Sequence, residues 1–224
     1  ETTGLLSSRL ARGRSTATMA YQRARSPEQK AERTEQILTA AEAMLSEGRD
    51  LGQLSLNELA RRAGMAKSNV YRYFESREAV LLALLQDRTA LWSREVIVVL
   101  GALSRRTGVR RRIDEMAKIL VGHAASRPMM CQLMSAVPSV LEHNASAATV
   151  RGYKSSSMEV LDRLAEAMHE LVPELSPERH GELLHHAFAF IVGCWPLAHP
   201  SPITEEVLAE PALAGLRHEF AHDL

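Results

Sequence analysis

The strongest constraint on the fold is the spacing of apolar residues, which recur at helical intervals and almost never alternate as they would along a strand. No stretch of useful length has a period of two, and 10 of the 224 residues are aromatic (4 Phe, 2 Trp and 4 Tyr). Proline and glycine divide the chain into helical stretches. The sequence therefore predicts an all-α protein of about nine helices, with enough chain to bury a sizeable core.

Capping signals locate the first four helices. Ser55 and Glu58 form a capping box at the start of the second helix, which ends at Gly64. Ser76 caps a long fourth helix. The predicted helices are residues 27 to about 47, with Ser26 as N-cap, then 55–63, 67–74 and a long one after Ser76.

Prolines mark the joints between the later helices, because proline cannot lie inside a helix without cost. Pro173 and Pro177 form one joint, and Pro196, Pro200 and Pro202 form the next. The later predicted helices are roughly residues 109–126, 128–135 or a little beyond, 146–172, 178–195 and 204–220.

Charge and cysteine content limit the class of protein. The 27 basic and 27 acidic residues balance, but residues 1–92 hold 14 basic and 11 acidic, which weakly favours an anionic partner for that part. Cys131 and Cys194 cannot build a disulfide framework, so a reducing cytoplasm fits best. No apolar run approaches the ~20 residues of a membrane span, and the arginines near the N-terminus are not followed by the apolar stretch of a secretory signal. We expect a cytoplasmic protein without membrane contact.

Residues 55–74 have the sequence form of a helix-turn-helix, with two short helices around a turn that contains glycine. Ala60 is small where the second helix must cross closely. Gly64 can adopt a positive φ at the turn, and Val70 supplies the apolar contact that fixes the crossing. An ordinary αα-hairpin would share this pattern and stays open at this point.

The exposed face predicted for the third helix favours DNA. It carries Lys67, Ser68, Asn69, Tyr71, Arg72 and Tyr73, and no acidic residue lies between Glu58 and Glu75. Asn and Arg make bidentate contacts with bases, and a recognition helix places such residues in the major groove. The sequence therefore predicts a recognition helix over residues 67–74.

Residues 34–85 resemble the DNA-binding domain of TetR-family transcriptional regulators, most closely in SLNELARRAGMAKSNVYRYFESREAVLLALL. The resemblance implies base or nearby backbone contacts for Lys67, Ser68, Asn69 and Arg72, and phosphate contacts for Tyr71, Tyr73 and Arg77. Ser55 and Asn57 occupy the helix before the turn. This sequence departs from the family at two positions, because Ala66 stands where a capping Ser is common and Tyr73 replaces His.

The resemblance also implies a domain plan. Residues 1–26 would be a flexible basic arm, in which Arg23 and Arg25 lie along a groove or belong to a solvated tail. Residues 1–18 lack Met while Met19 is present, so we interpret them as an upstream leader or an added segment. Residues 27–75 would form the helix-turn-helix domain, and residues 76–224 the ligand-binding and dimerisation domain.

The resemblance implies a repressor that leaves a palindromic operator in duplex DNA when a small hydrophobic or amphipathic effector binds. A homodimer would hold two recognition helices about 34 to 36 Å apart. Candidate residues of the dimer interface are Leu183, Leu184, Ala187, Phe188 and Ile191. Candidate residues of the effector pocket are Met116, Leu120, His123, Met134, Met158, Leu161, Phe188 and Trp195, although methionines at helical spacing are more often plain core.

The sequence allows two other interpretations. His218, Glu219 and His222 match the H-E-x-x-H pattern of zinc hydrolases, but little chain follows to supply a third ligand. His180, His185 and His186 do not share a helix face, so we interpret them as surface or interface groups. With no phosphate-binding or nucleophile motif, we expect no enzyme and no cofactor. A helical ligand-binding protein without DNA binding is the main alternative.

Overall fold

The computed structural model of the chain describes residues 27–223. The predicted basic arm, with Arg23 and Arg25, and the predicted cap Ser26 lie outside the described residues. None of the helices between residues 27 and 223 is long and apolar enough to cross a membrane.

Over the described range, the chain forms ten α-helices and no strand, which confirms the all-α prediction and adds one helix to the expected nine. The helices are α1 (Pro27–Ser46), α2 (Leu56–Arg62), α3 (Lys67–Val70), α4 (Arg77–Gly101), α5 (Val109–Ala125), α6 (Pro128–Ala136), α7 (Ala147–Leu171), α8 (Pro177–Ala198), α9 (Pro202–Leu208) and α10 (Phe220–Asp223). Short 3-10 turns at Leu51–Gln53 and Ala214–Leu216 and a π turn at Val137–Leu141 complete the described elements.

The predicted capping residues begin α2 and α4. The Ser55 hydroxyl accepts a hydrogen bond from the Glu58 backbone N–H at 3.2 Å, and the Ser76 hydroxyl accepts one from the Ala79 N–H at 3.1 Å. Each cap satisfies a backbone donor that the first turn leaves without a helical partner. The starts of these two helices are therefore set by local sequence.

The chain divides into two compact units at Gln36. In the first unit, residues 27–36 form the beginning of α1, where Arg33 donates a hydrogen bond to Gln36 at 2.9 Å and Gln36 donates to Glu32 at 3.4 Å. The second unit begins at Ile37 and contains the rest of the described chain.

The second unit has two buried apolar clusters. The main cluster joins the helix-turn-helix to α4, α6 and parts of α7 and α8, and includes Leu59, Val70 and Trp195. The distal cluster joins the second half of α4 to α5, α7 and α8, and includes Met116. Trp92 packs against both clusters. The long helix α4 thus connects the part that carries α3 to the distal bundle.

Two predicted helix boundaries were wrong. Pro196 lies inside α8 rather than at its end, in the last turn, where the missing N–H removes one bond without breaking the helix. The helix predicted over residues 204–220 is instead α9, a 3-10 turn and α10. Pro211 follows α9 and has no backbone N–H to continue it.

His180 is fully buried, so its interpretation as a surface or interface group was wrong. Its Nε2 donates to the Val172 carbonyl at 3.1 Å, at the end of α7. Arg112 is also buried and donates to the Leu171 carbonyl at 2.6 Å, and its guanidinium pairs with Glu174. These side chains satisfy carbonyls that the end of a helix leaves without partners. His180 therefore packs as part of the joint between α7 and α8.

Candidate nucleic-acid interface

The turn between α2 and α3 has the geometry that the sequence indicates. Gly64 adopts φ +65°, which is the left-handed region that glycine occupies without strain. Ala60 and Val70 are both buried in the main cluster, where they hold the two helices together. The predicted helix-turn-helix is therefore present.

The predicted recognition helix is shorter than expected, and we call residues 67–74 the recognition segment after that prediction. α3 ends at Val70 and the chain continues through tight turns, in which the Phe74 N–H donates to the Val70 carbonyl at 3.0 Å. Val70 and Phe74 face the core, while Lys67, Ser68, Asn69 and Arg72 are exposed. Tyr71 is also exposed, and Tyr73 is half-buried. All six predicted face residues thus retain some accessible surface.

Arginines compensate the acidic residues near this face. Glu58 accepts from Arg61 at 3.1 Å, and this hydrogen bond lowers the pKa of Glu58. Glu47 pairs with Arg62, whose hydrogen bond lowers the pKa of Glu47 in the same way. Both carboxylates are therefore ionised and neutralised at neutral pH, which leaves the uncompensated positive charge on the recognition segment.

Three other residues with predicted DNA contacts differ in the intramolecular bonds that their side chains already make. Asn57 is exposed on α2. The Ser55 hydroxyl already accepts the capping hydrogen bond of α2. Arg77 donates to the Gly52 carbonyl at 2.6 Å and pairs with the buried Glu78 at 2.7 Å. The structure thus gives Arg77 an intramolecular role, because it balances a buried carboxylate and holds the turn before α2.

α8 leaves an apolar stripe uncovered. Leu183, Phe190 and Leu197 are 45%, 57% and 53% exposed and recur every seven residues, which places them on one face. We call these three residues the α8 stripe. Sequence reasoning included Leu183 but missed Phe190 and Leu197, although their spacing was a visible signal.

The other predicted dimer residues lie on or near the inner face of α8. Leu184 packs in the distal cluster and Ile191 in the main cluster, and both are buried within the protomer. Ala187 and Phe188 are half-buried, and Phe188 packs against the main cluster. The face of α8 predicted to form the dimer interface is therefore offset by about one residue position from the face that carries the exposed α8 stripe.

The structure does not gather the eight predicted effector-pocket residues into one site. Met116, Leu120 and Leu161 belong to the distal cluster or pack against it, whereas Met134, Phe188 and Trp195 do so with the main cluster. Met158 is 56% exposed on α7. His123 is half-buried, and its Nδ1 is buried without a hydrogen-bond partner in the described chain.

A cavity of about 440 Å³ lies elsewhere, between residues 71–75, α4 and the start of α7. None of the eight predicted pocket residues lines it. We call it the junction cavity, because one wall is the end of the helix-turn-helix and another is α7. Sequence reasoning gave no signal for it, since its walls come from segments about 75 residues apart.

The zinc-site alternative is not supported by the local geometry. His218 lies before α10, which begins at Phe220, so the two histidines of the motif do not share a helix. The His218 Nδ1 instead contacts the Asp223 carboxylate at 2.9 Å. Among the residues that the structure describes, no group of three or more His, Cys, Asp or Glu side chains is placed to hold a metal ion.

Comparison with known families gives two matches that together span most of the chain. Residues 37–84 match the family model described as bacterial regulatory proteins, tetR family. Residues 90–224 match the tetracyclin repressor-like C-terminal domain. The first match includes α2, α3 and the beginning of α4, and the second includes α5 to α10.

Curated relatives match over a shorter segment. The chain is 40% identical over 64 residues to the uncharacterized HTH-type transcriptional regulators MT1294 and Rv1255c, from two strains of Mycobacterium tuberculosis. That segment is 29% of this chain, and it spans 31% of the length of these relatives.

A solved structure extends the likeness to nearly the whole chain. The fatty acid degradation regulator FadR from Bacillus halodurans is similar over 87% of this chain and 99% of that chain, with a TM-score of 0.50 and 18% identity. At this identity the likeness concerns the fold alone.

Proposed function

Because the chain belongs to the TetR family of bacterial regulatory proteins and is a DNA-binding transcription regulator, we propose that α3 and the turn after it are its recognition element. Residues 67–73 would enter the major groove of a palindromic operator, one copy from each protomer of a homodimer. Lys67, Asn69 and Arg72 would face bases or nearby backbone, and Tyr71 and Tyr73 would reach phosphates.

The observation that carries this proposal is the charge of the recognition surface. Its exposed side chains include Lys67 and Arg72, no acidic residue occurs from 59 to 74, and the nearest acids on the preceding helices pair with arginines. Such a surface gains free energy when it displaces the counterions of duplex DNA. A surface that only contacts water does not require so many cationic and hydrogen-bond-donating side chains in one segment.

Dimerisation would use the α8 stripe. Exposed apolar residues in a row along a helix mark a protein interface, and a two-fold axis lets one stripe pack against its copy. The helix-turn-helix domain, proposed as residues 27–75, would then be presented twice by the domain of residues 76–224. Two-fold symmetry in the protein would match the operator.

We propose further that the protein is a repressor and that a small effector releases it from the operator. α4 runs from the recognition segment into the distal cluster, so a change in the packing of the bundle can alter how α3 is presented. An effector that binds one arrangement better shifts the population toward it.

The experiment that tests the proposal compares Arg72→Ala and Lys67→Ala with the unchanged protein. Operator fragments are first selected from genomic DNA with the unchanged protein, and affinities are measured over a range of salt concentrations. Each phosphate contact that is lost should reduce the slope of log K against log salt by about 0.9, and each base contact that is lost should cost about 1–3 kcal/mol of sequence discrimination.

Arg163→Ala is the matched control, because Arg163 is an exposed arginine on α7, away from the recognition segment. It should leave both the affinity and the salt slope unchanged. If Arg72→Ala and Lys67→Ala also bind the selected fragments like the unchanged protein, α3 is not the recognition element. A helical ligand-binding protein would then be the better description.

A further inference from the structure

We propose that the junction cavity binds a small amphipathic molecule that carries an aromatic ring and one anionic group, and that this molecule competes with operator DNA. The competition rests on the proposed function of α3, whereas the binding itself does not. The volume of about 440 Å³ lies within the range of about 300–1,000 Å³ that is usual for sites of small molecules.

The walls of the junction cavity favour an aromatic ring. Four aromatic side chains contribute to the lining, Tyr71, Tyr73 and Phe74 from one side and Tyr153 from α7. Aromatic rings gain from offset-stacked and edge-to-face contacts in addition to the area that they bury. Small residues on the facing helices, such as Ala83 and Gly152, leave room for a flat molecule between them.

One lining residue carries a cation that can bind an anion. Arg72 is exposed at the cavity, and its side chain makes no ion pair or hydrogen bond within residues 27–223. The carboxylate of Glu75, the one acid in the lining, accepts hydrogen bonds from the Ser146 N–H at 2.9 Å and the Thr149 hydroxyl at 2.7 Å. The Arg72 guanidinium is therefore available to an anion, whereas the ionised Glu75 carboxylate is held toward the start of α7 by its two hydrogen bonds. A planar carboxylate matches the fork of a guanidinium.

One lysine near the tyrosine walls adds to this preference. The Lys67 Nζ lies 5.7 Å from the centre of the Tyr71 ring. The Lys154 Nζ lies 5.8 Å from the centre of the Tyr153 ring, but it pairs with the Glu142 carboxylate at 2.6 Å and adds no net charge. The positive charge of Lys67 beside the Tyr71 ring raises the electrostatic potential at that edge of the cavity. An anionic molecule is thus attracted before it reaches Arg72.

Occupancy and DNA binding would share the same side chains. Tyr71, Arg72 and Tyr73 line the cavity and also belong to the proposed recognition element. An arginine that holds a carboxylate in the cavity is not available to a base or a phosphate. By linkage, the molecule must weaken DNA binding by the same factor by which DNA weakens binding of the molecule.

The first test measures binding of 2-naphthoate by calorimetry, in the absence of DNA. The variant Gly152→Leu fills the cavity from α7, where a Cβ added at Gly152 meets no other atom within 4 Å, so the fold can accept the change. Gly122→Leu is the matched control, because Gly122 is an exposed helical glycine on α5 that also has open space and does not line the cavity. Ala148→Leu is a second filling variant on the same wall.

The expected result is saturable binding of 2-naphthoate that persists in Gly122→Leu and falls by at least about 10-fold in Gly152→Leu and Ala148→Leu. The neutral analogue 2-naphthamide should bind more weakly to the unchanged protein, and Arg72→Met should remove the preference for the acid. Absence of saturable binding up to about 1 mM, equal binding in the filled variants, or equal affinity for the amide would each overturn the proposal.

The second test adds the selected operator fragment. We expect saturating DNA to lower the affinity of the unchanged protein for 2-naphthoate. If 2-naphthoate binds in the cavity but DNA leaves its affinity unchanged, the competition is wrong and the binding site stands. If DNA binds through α3 and the probe does not bind, the site is wrong and the function proposed for α3 stands.

Discussion

The recognition segment and the α8 stripe are both exposed helical surfaces of one chain, yet they differ in chemistry. The first presents lysine, arginine, asparagine and tyrosine, whereas the second presents Leu183, Phe190 and Leu197. A polar cationic surface is stable in water and gains further when a polyanion replaces its counterions. An apolar stripe loses free energy in water until another apolar surface covers it. Exposure alone therefore says little about function, and the kind of exposed atom decides which partner fits.

The comparison predicts that charge on the α8 stripe abolishes dimerisation. In the double variant Leu183→Glu with Phe190→Glu, two carboxylates per protomer would face their copies across the two-fold axis. We expect a monomer by analytical ultracentrifugation. Operator affinity should fall by roughly 10²–10⁴-fold, because the second half-site is no longer bound as part of the same molecule.

Val98→Glu is the control for this variant, because Val98 is exposed on α4 and lies outside the stripe. It should leave the dimer intact. A double stripe variant that remains a dimer would show that another surface holds the protomers together, and the assignment of α8 would be wrong.

At the recognition segment, substitution of a buried residue should lower stability, whereas substitution of an exposed residue should weaken DNA binding and leave stability nearly unchanged. Leu59 is fully buried behind the segment, so we expect Leu59→Ala to lower the free energy of unfolding by about 2–5 kcal/mol. Asn69→Ala, on the exposed face, should change that free energy by no more than about 0.5 kcal/mol while it weakens operator binding.

Urea denaturation and fluorescence anisotropy with labelled operator would measure the two quantities. A large loss of stability in Asn69→Ala would mean that this face packs against other parts of the protein instead of facing a partner.

The smallest change is expected at Glu75, in acid. Hydrogen bonds from Ser146 and Thr149 lower the pKa of this carboxyl in the folded protein. The ionised form therefore stabilises the fold at pH values above its unfolded pKa of about 4.3, and this contribution is lost as the pH falls through the lower folded pKa. In Glu75→Gln, the free energy of unfolding should fall less steeply than in the unchanged protein as the pH decreases through that range. The stability of the two proteins would be measured by thermal denaturation at a series of acidic pH values. An identical dependence on pH in both proteins would contradict this role.

The helix-turn-helix could be predicted because its determinants are local. Ser55 and Ser76 cap their helices through residues three positions away, and Gly64 adopts the positive φ that the turn requires. The resemblance drawn from residues 34–85 to the TetR family is confirmed by the matches over residues 37–84 and 90–224.

The rest of the molecule depends on packing between distant segments, and prediction was poorer there. The exposed face of α8 differs from the predicted one by about one residue, because both faces are apolar and only tertiary contacts decide that Leu184 is buried. The burial of His180 depends on a carbonyl of the preceding helix end. The junction cavity brings residues 71–75 to residues 148–153, and no spacing in the sequence encodes that proximity.

Trp92 gives the protein a built-in optical reporter. It is one of two tryptophans in the chain, and its indole packs against both apolar clusters, with an Nε1 that has no hydrogen-bond partner among residues 27–223. The other, Trp195, stacks on His199 with ring centres 3.7 Å apart. In a Trp195→Phe background the emission comes from Trp92 alone. A shift in the wavelength of its emission maximum would then report, in real time, a movement of one apolar cluster relative to the other.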